Sequence, residues 1–379
     1  MFDYETLKVI WWGLLVFLVC GFAVLDGFDF GIGMLLPFLG KTDDERRVML
    51  NTVGPTWEGS QTWLVTLGGI TFGAWALVYA TLFSGLYTGL LVLLFGLFLR
   101  PVGFDYRSKL VDTRWRSTWD WALFCGGLVP VLVLGLTVGN LIVGLPFQLD
   151  ADLRSTYSGG FWDLFSPFAL LTAVIAIALC CLHGAVFLQW RTEGDLAERS
   201  KRIIRWSTII FALSFMLAGF WIAFGIEGYR ITQLMDTSHA LNPLTKTVEK
   251  AVGAWLDNYQ HYPLLIIAPV TALLGCALNI KLSKDEHEGL AFLVSSLVMI
   301  AAIVTAGGSM FPFIMPSSLD YNSSLTVWDA GGSQHTLQLL FFATVILMPI
   351  VLCYTIWVYR VMRGKVTVEH IQQNQTSLY

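Results

Sequence analysis

The sequence predicts an all-α polytopic membrane protein with nine transmembrane helices. Of its 379 residues, 55% are hydrophobic and only 13% are charged, and the mean hydropathy is +0.65. Soluble domains carry about 25% charged residues. The long runs are apolar on every face, which argues against a large soluble helical core. The net charge of −4 is small and argues against nucleic acid as a partner.

Nine apolar runs approach or exceed the roughly 20 residues that a helix needs to cross a bilayer. We predict a single integral membrane domain, 1–379, with spans at residues 7–36, 55–80, 82–99, 121–143, 161–190, 204–226, 262–280, 289–313 and 336–361. Residues 228–261 form a predicted outer loop. Within it, Asn242 followed by Pro243 is typical of a helix start. That helix would be amphipathic and would carry on one face Leu244, Val248, Val252 and Trp255.

The distribution of basic residues predicts the orientation of the chain. Of the 23 Lys and Arg residues, 18 fall in alternate loops and in the C-terminal tail, and the other five fall in the remaining segments. Cytoplasmic loops carry an excess of Lys and Arg. We therefore expect the N-terminus outside the cell and the C-terminus in the cytoplasm.

Two carboxylic acids interrupt the first apolar run, in the stretch GFAVLDGFDFGIGM. Asp26 and Asp29 are three residues apart and share one helix face. On the predicted topology, Asp26 lies ten residues, or roughly 15 Å, from the cytoplasmic end of this span. Gly27 and Gly31 form a small-residue pair that lets another helix approach closely. Ionisable residues within membrane spans are costly and usually face the protein interior or water.

More polar residues lie at the same predicted level in the second and third spans. Glu58 occupies the first turn of span two, where the helix dipole favours negative charge. Span three ends near Arg100, where Pro101 is expected to break the helix and leave Asp105 at the membrane surface. Acids alternating with a base predict a proton-uptake path made by Asp26, Asp29, Glu58, Arg100 and Asp105.

A purely structural interpretation of these residues stays open at this stage. Glu58 and Asp105 would then pair with Arg100 or with other basic residues near the head groups, and Asp29 would be a buried hydrogen-bond acceptor. His183 is the single histidine inside a predicted span. It is either a haem ligand or, as a lone histidine suggests, a packed and hydrogen-bonded residue. The six cysteines show no metal-ligand spacing, so no metal site is predicted.

Six motifs resemble subunit II of the bacterial cytochrome bd ubiquinol oxidase family: IWWGLLV, LDGFDFGIG, WEGSQTWL, RPVGFDYRSK, FPFIMPSS and SLTVWDA. The resemblance extends over the whole chain. It implies a fold of two four-helix bundles plus one peripheral helix, in the bacterial inner membrane. It also implies a quinol:oxygen oxidoreductase of the aerobic respiratory chain, which oxidises quinol at the periplasmic side and builds a membrane potential without pumping.

The resemblance further implies how cofactors and roles are divided in the complex. Subunit I would hold two haems b and one haem d, so this chain would contain no haem and no catalytic residue. Subunit II would support assembly and haem retention, can hold a structural ubiquinone or menaquinone, and would contribute a path for protons taken from the cytoplasm. A small single-helix subunit often joins the complex.

Residue by residue, the proton path of the family corresponds to Asp26, Glu58 and Asp105. The family commonly has aspartate in the second motif, so Glu58 is a departure that keeps the acid and adds a methylene. The alternative function is a proton-coupled secondary transporter using Asp26 and Asp29. Transporters usually have broken helices in corresponding positions of two repeats, and no such pair is evident in the sequence.

Overall fold

The computed structural model describes residues 2–233, 236–240 and 242–373. Within these ranges the chain forms thirteen α-helices, bounded as α1 (Tyr4–Leu39), α2 (Asp43–Val53), α3 (Trp57–Ala74), α4 (Ala76–Gly85), α5 (Tyr87–Tyr106), α6 (Thr113–Val143), α7 (Pro167–Arg191), α8 (Gly194–Phe224), α9 (Asp257–His261), α10 (Ile267–Lys284), α11 (Glu288–Met310), α12 (Gln334–Val361) and α13 (Val368–Gln373). Three two-stranded antiparallel sheets lie between helices, formed by β1 (Phe147–Leu149), β2 (Ser155–Tyr157), β3 (Glu227–Ile231), β4 (Val248–Val252), β5 (Phe313–Met315) and β6 (Leu325–Thr326).

Eight helices of the described chain are long and apolar enough to cross a membrane. They correspond to eight of the nine predicted spans, namely all except the second. The predicted span 55–80 is instead divided into α3 and α4, which meet at Trp75. Trp75 leaves the helical conformation, with φ −136° and ψ 65°, and its side chain is buried. The exact count of nine single membrane helices is therefore not confirmed.

The membrane helices form two groups of four. In the first group α3 and α6 pack against α1, and α5 packs against α6; helices α7, α8, α10 and α11 form the second group. The two groups are joined by α7, which packs against both α1 and α6. Helix α12 lies against α1 and α3, and its most apolar stretch has no buried residue. The predicted all-α membrane architecture with one peripheral helix is thus confirmed, whereas one member of the first group, α3, continues into α4 through the break at Trp75.

The two bundles meet most closely at glycines of α1 and α7. A Cβ atom on Gly31 would come within 2.0 Å of the Cys180 carbonyl oxygen, and Gly184 faces Gly31 from α7. Gly27 faces the Met299 side chain of α11. The close helix approach predicted for this glycine pair is therefore confirmed at Gly31, where it fixes the α1 turn that carries Asp26 and Asp29, whereas Gly27 contacts side chains.

The predicted amphipathic helix after Asn242 is wrong. The Asn242 side chain does accept a hydrogen bond from the Leu244 amide at 2.9 Å, but the helical turn ends at Thr245. Residues 248–252 form β4, which pairs with β3. The backbone of this segment finds its partners in a strand distant in sequence, which local helix signals cannot report. Trp255 is buried, and its indole N–H donates to the Ile142 carbonyl at 3.0 Å.

Candidate functional site

A buried ion pair links the first and fifth helices. The Arg100 guanidinium donates two hydrogen bonds to the Asp26 carboxylate, at 2.6 and 3.1 Å, and neither side chain is more than 3% exposed. Arg100 also lies over the Phe30 ring, 4.3 Å from its centroid. A bidentate guanidinium–carboxylate contact fixes both partners in direction as well as distance. The pair therefore locks α1 to α5 inside the first bundle.

Asp29 completes the cluster but is poorly satisfied. One of its oxygens lies 3.5 Å from Arg100 Nη2, and both oxygens are buried with no hydrogen-bond partner among the described residues. The cluster of Asp26, Asp29 and Arg100 thus contains two carboxyl groups and one permanent positive charge. Without a bound proton it would carry one net negative charge in a region where burying charge is costly.

The other two predicted site residues do not join this cluster. Glu58 and Asp105 are both exposed and form no ion pair with a residue that the structure describes. They lie on neighbouring helices, because Trp57 stacks on Phe104 with ring centroids 5.6 Å apart. Neither acid pairs with Arg100, because Arg100 contacts Asp26 and Asp29 instead. The structural alternative is therefore wrong where it paired either acid with Arg100.

The expected helix break at Pro101 is wrong. Helix α5 continues through Pro101 to Tyr106 and carries both Arg100 and Asp105. Proline inside a helix removes one hydrogen bond, from its own N–H to the carbonyl four residues earlier, and its ring crowds that carbonyl. Packing of this turn compensates, because Gly103 lies against the Leu123 side chain and Phe104 lies against Trp57. The continuous helix fixes the position of Arg100 relative to Asp105.

Two hydroxyl groups, one on α3 and one on α12, lie near the acids and the α1 turn of the cluster. Ser60 is two residues after Glu58, is buried, and forms a 3.1 Å hydrogen bond with the Tyr359 hydroxyl of α12. The Ser60 hydroxyl also lies 3.2 Å from the Thr56 carbonyl. Tyr359 packs edge-on against Phe28, the residue before Asp29 in the chain. Sequence reasoning missed these hydroxyls because Ser, Thr and Tyr are common in membrane helices and carry no spacing signal.

A second ion cluster, also missed from the sequence, holds α2 against α6. Asp120 is buried and contacts Arg107 at 2.5 Å and Arg46 at 2.6 Å. Asp43 contacts Arg107 at 2.9 Å and Arg116 at 2.5 Å. Three guanidinium groups around two carboxylates satisfy both acids. These residues lie in predicted loops, where no helical spacing indicates which acid faces which base.

His183 has the packed environment that its lone position suggested. Its Nδ1 lies 2.8 Å from the Ser295 hydroxyl and its Nε2 lies 3.1 Å from the Val24 carbonyl. The ring also stacks on Phe292, with centroids 4.8 Å apart. Both ring nitrogens are thus engaged by protein atoms, an arrangement that does not fit a haem ligand. Within the part of the chain that the structure describes, no group of three His, Cys, Asp or Glu side chains is arranged to hold a metal.

Comparisons with known proteins identify the family of the chain. The family model for cytochrome bd terminal oxidase subunit II matches residues 7–362. The chain is 47% identical over 379 residues to cytochrome bd-I ubiquinol oxidase subunit 2 of Escherichia coli K12, with both chains fully covered. It is 44% identical to a probable cytochrome oxidase subunit 2 of Haemophilus influenzae, again with both chains fully covered.

A more distant relative and a solved structure extend the comparison. Cytochrome bd ubiquinol oxidase subunit 2 of Bacillus subtilis is 31% identical over 362 residues, covering 96% of this chain and 97% of the relative. A chain of the bd oxidase from Geobacillus thermodenitrificans has a TM-score of 0.69 at 16% identity, over 94% of this chain and 98% of that one. The latter likeness concerns the fold. The chain belongs to the cytochrome bd terminal oxidase subunit II family.

Proposed function

We propose that the chain provides the proton-uptake path of a quinol:oxygen oxidoreductase in which a haem-bearing subunit I is its partner. As a family member it is a multi-pass membrane subunit of an oxidoreductase. Two haems b and one haem d in subunit I would supply the electron transfer to dioxygen. A structural quinone in this chain and a small single-helix subunit belong to the same proposal. The names of relatives, which include ubiquinol oxidase, support ubiquinol as the electron donor.

The buried cluster of Asp26, Asp29 and Arg100 is the observation that carries this proposal. Two carboxyl groups share one guanidinium, so the cluster can hold one proton in place of a missing positive charge. Arginine does not release its own proton in proteins. Arg100 therefore positions Asp26, and the carboxyl groups are the residues that exchange protons.

The entrance of the path is proposed at the exposed acids. The topology favoured by the basic loops places Glu58 and Asp105 at the cytoplasmic side, with the N-terminus outside. From there the hydroxyls of Ser60 and Tyr359 lead along α3 and α12 towards the α1 turn of Asp29. Protons can pass along such hydroxyls and intervening waters.

Replacement of Asp26 tests the path directly. We expect Asp26→Asn to slow quinol-driven oxygen consumption by the purified complex at least roughly tenfold, as loss of a proton-transfer group does. Asp26→Glu, which restores an acid, should recover much of the rate. The visible absorption spectrum measures haem content in each preparation.

The matched control is Asp329→Asn, which removes a buried, ion-paired carboxylate in an outer loop. We expect it to lower the thermal stability of the complex but to leave the rate per haem of the assembled complex unchanged. Full activity of Asp26→Asn from acidic to alkaline pH would reduce Asp26 to a structural role. Equal slowing by Asp329→Asn would mean that any buried acid has the same effect.

Asp29→Asn separates proton exchange from packing. Because no described residue hydrogen-bonds the Asp29 oxygens, the isosteric amide should change the thermal stability of the complex little, by about 1 kcal/mol or less. We still expect slower oxygen consumption, most clearly at alkaline pH where protons are scarce. An unchanged rate at every pH would remove Asp29 from the path.

A further inference from the structure

A basic groove lies between α8 and α10, outside the first bundle. It has a volume of about 770 Å³ and is lined by Lys201, Arg202, Ile204, Arg205, Trp206, Ile209, Ile280, Ser283 and Lys284. Arg202, Arg205 and Trp206 are exposed, and so is Lys284 at the end of α10. The groove thus combines a charged rim with an apolar wall at one end of two membrane helices.

Three of the four cationic side chains lack a partner in the described chain. Lys201 is engaged, because its Nζ lies 2.6 Å from Glu198 and 3.3 Å from Glu286. No carboxylate among the described residues lies within ion-pair distance of the three others, Arg202, Arg205 and Lys284. Their charges converge on one groove and remain uncompensated.

The remaining lining residues are fixed or apolar. The Ser283 hydroxyl donates to the Gln189 side-chain oxygen at 2.6 Å, and the Ser283 carbonyl accepts from the Gln189 amide at 2.9 Å. Ile209 and Ile280 are half-buried, and Trp206 is 58% exposed. Tryptophan is enriched at the level of lipid head groups. The groove therefore has a rigid polar base and an apolar wall that continues towards the acyl chains.

We propose that this groove is a specific binding site for an anionic phospholipid. Its phosphate would lie against Arg202, Arg205 and Lys284, and an acyl chain would lie along Ile209 and Ile280. Long basic side chains bury their methylene stems on apolar surface while their charged ends reach head groups. Basic pockets between membrane helices bind anionic lipid head groups in this way. The site is independent of the proton path.

Native mass spectrometry of the purified complex tests the site. The complex is equilibrated with detergent micelles that contain equal amounts of phosphatidylglycerol and phosphatidylcholine, and the retained lipids are counted. We expect phosphatidylglycerol to be retained in preference. The triple variant Arg202→Gln, Arg205→Gln and Lys284→Gln should hold one phosphatidylglycerol fewer, with at least roughly tenfold weaker retention.

The matched control removes three exposed basic residues elsewhere in the loops rich in Lys and Arg: Lys41→Gln, Lys109→Gln and Arg114→Gln. It has the same net charge as the triple variant and should retain the lipid. A conservative variant, Arg202→Lys with Arg205→Lys, should retain it as well. The visible absorption spectrum shows that each variant complex is assembled.

Three outcomes would overturn the proposal. Equal retention of the two lipids would mean that the groove selects only apolar chains. Equal loss in the control variant would mean that net charge, and not this groove, holds the lipid. Displacement of the lipid by millimolar inorganic phosphate, with no dependence on acyl chains, would make the groove an anion site unrelated to lipid.

Discussion

Two buried ion clusters satisfy their charges differently: one lies in the first bundle, and the other, the outer pair of Lys246 and Asp329, lies in loops predicted to be outside the cell. Asp329 accepts hydrogen bonds from the backbone amide and hydroxyl of Thr326, at 2.9 and 2.7 Å, and lies 3.0 Å from Lys246 Nζ. In the membrane cluster, Arg100 is the one cation of the described residues that contacts Asp26 and Asp29. The outer pair is complete as a structural unit, whereas the membrane cluster lacks one positive charge.

The pKa shifts of the outer pair show what burial costs even when partners are present. Burial raises the pKa of Asp329 and lowers the pKa of Lys246, although the charge of each partner opposes the shift. Desolvation therefore outweighs the attraction for both groups. Removing one partner of such a pair lowers the free energy of unfolding strongly, whereas replacing both partners by apolar residues changes it little. Removal of Arg100 should be costlier than breaking the outer pair, because it leaves two buried acids without a cation.

Arg100→Met should have the largest effect on stability. It leaves Asp26 and Asp29 buried without a cation, and we expect a loss at the upper end of about 3–5 kcal/mol, seen as poor recovery and early thermal unfolding of the complex. Arg100→Lys, which keeps the charge but not the two-pronged contact, should lose less. Normal thermal stability of Arg100→Met would contradict the view that the cluster already lacks a charge.

Removing one partner of the outer pair should have the next largest effect. Asp329→Asn leaves Lys246 buried and unpaired, so we expect a loss towards the lower end of about 3–5 kcal/mol in the unfolding of the complex. Lys246→Met combined with Asp329→Leu should restore most of that loss. If the double variant is as unstable as the single one, the pair is more than a replaceable structural unit.

Asp43→Asn should have the smallest effect. The Asp43 side chain is 37% exposed, although it contacts Arg107 and Arg116. Partly exposed ion pairs contribute about 0–1 kcal/mol and weaken in salt. We expect a small drop in the unfolding temperature at low ionic strength and almost none at high ionic strength. Asp120→Asn, at the buried centre of the same network, serves as the contrasting variant and should cost more at either ionic strength.

Much of the fold could be predicted because a long apolar segment in lipid must form a helix, which pairs its backbone polar groups internally. Eight predicted spans correspond to single helices, and Gly31 meets α7 as its spacing suggested. The division of the second span at Trp75 could not be predicted, since no proline stands there and the conformation depends on the surrounding loops. The β3–β4 pairing could not be predicted either, because its two strands are separated in sequence. The helix signal at Asn242 is real, but the helical turn that it starts ends at Thr245.

The site was predicted in composition but not in contacts. Hydropathy identified Asp26 and Asp29 as costly, and topology placed Arg100 at their level. The sequence could not show that Arg100 would contact both acids, nor that Glu58 and Asp105 would remain exposed. Those outcomes depend on side-chain direction across three helices, which follows from packing and not from residue type.

The break at Trp75 ties the outer loops to the membrane interior. There the Ala74 carbonyl accepts a hydrogen bond from the Gly332 amide at 2.8 Å, and the Tyr4 hydroxyl donates to the Gly332 carbonyl at 2.7 Å. A backbone carbonyl without a partner is poorly tolerated in hydrocarbon. The segment before α12 thus supplies the hydrogen bond that the interrupted helix lacks at Ala74. Displacement of that segment would leave this carbonyl unpaired and destabilise the junction of α3 and α4.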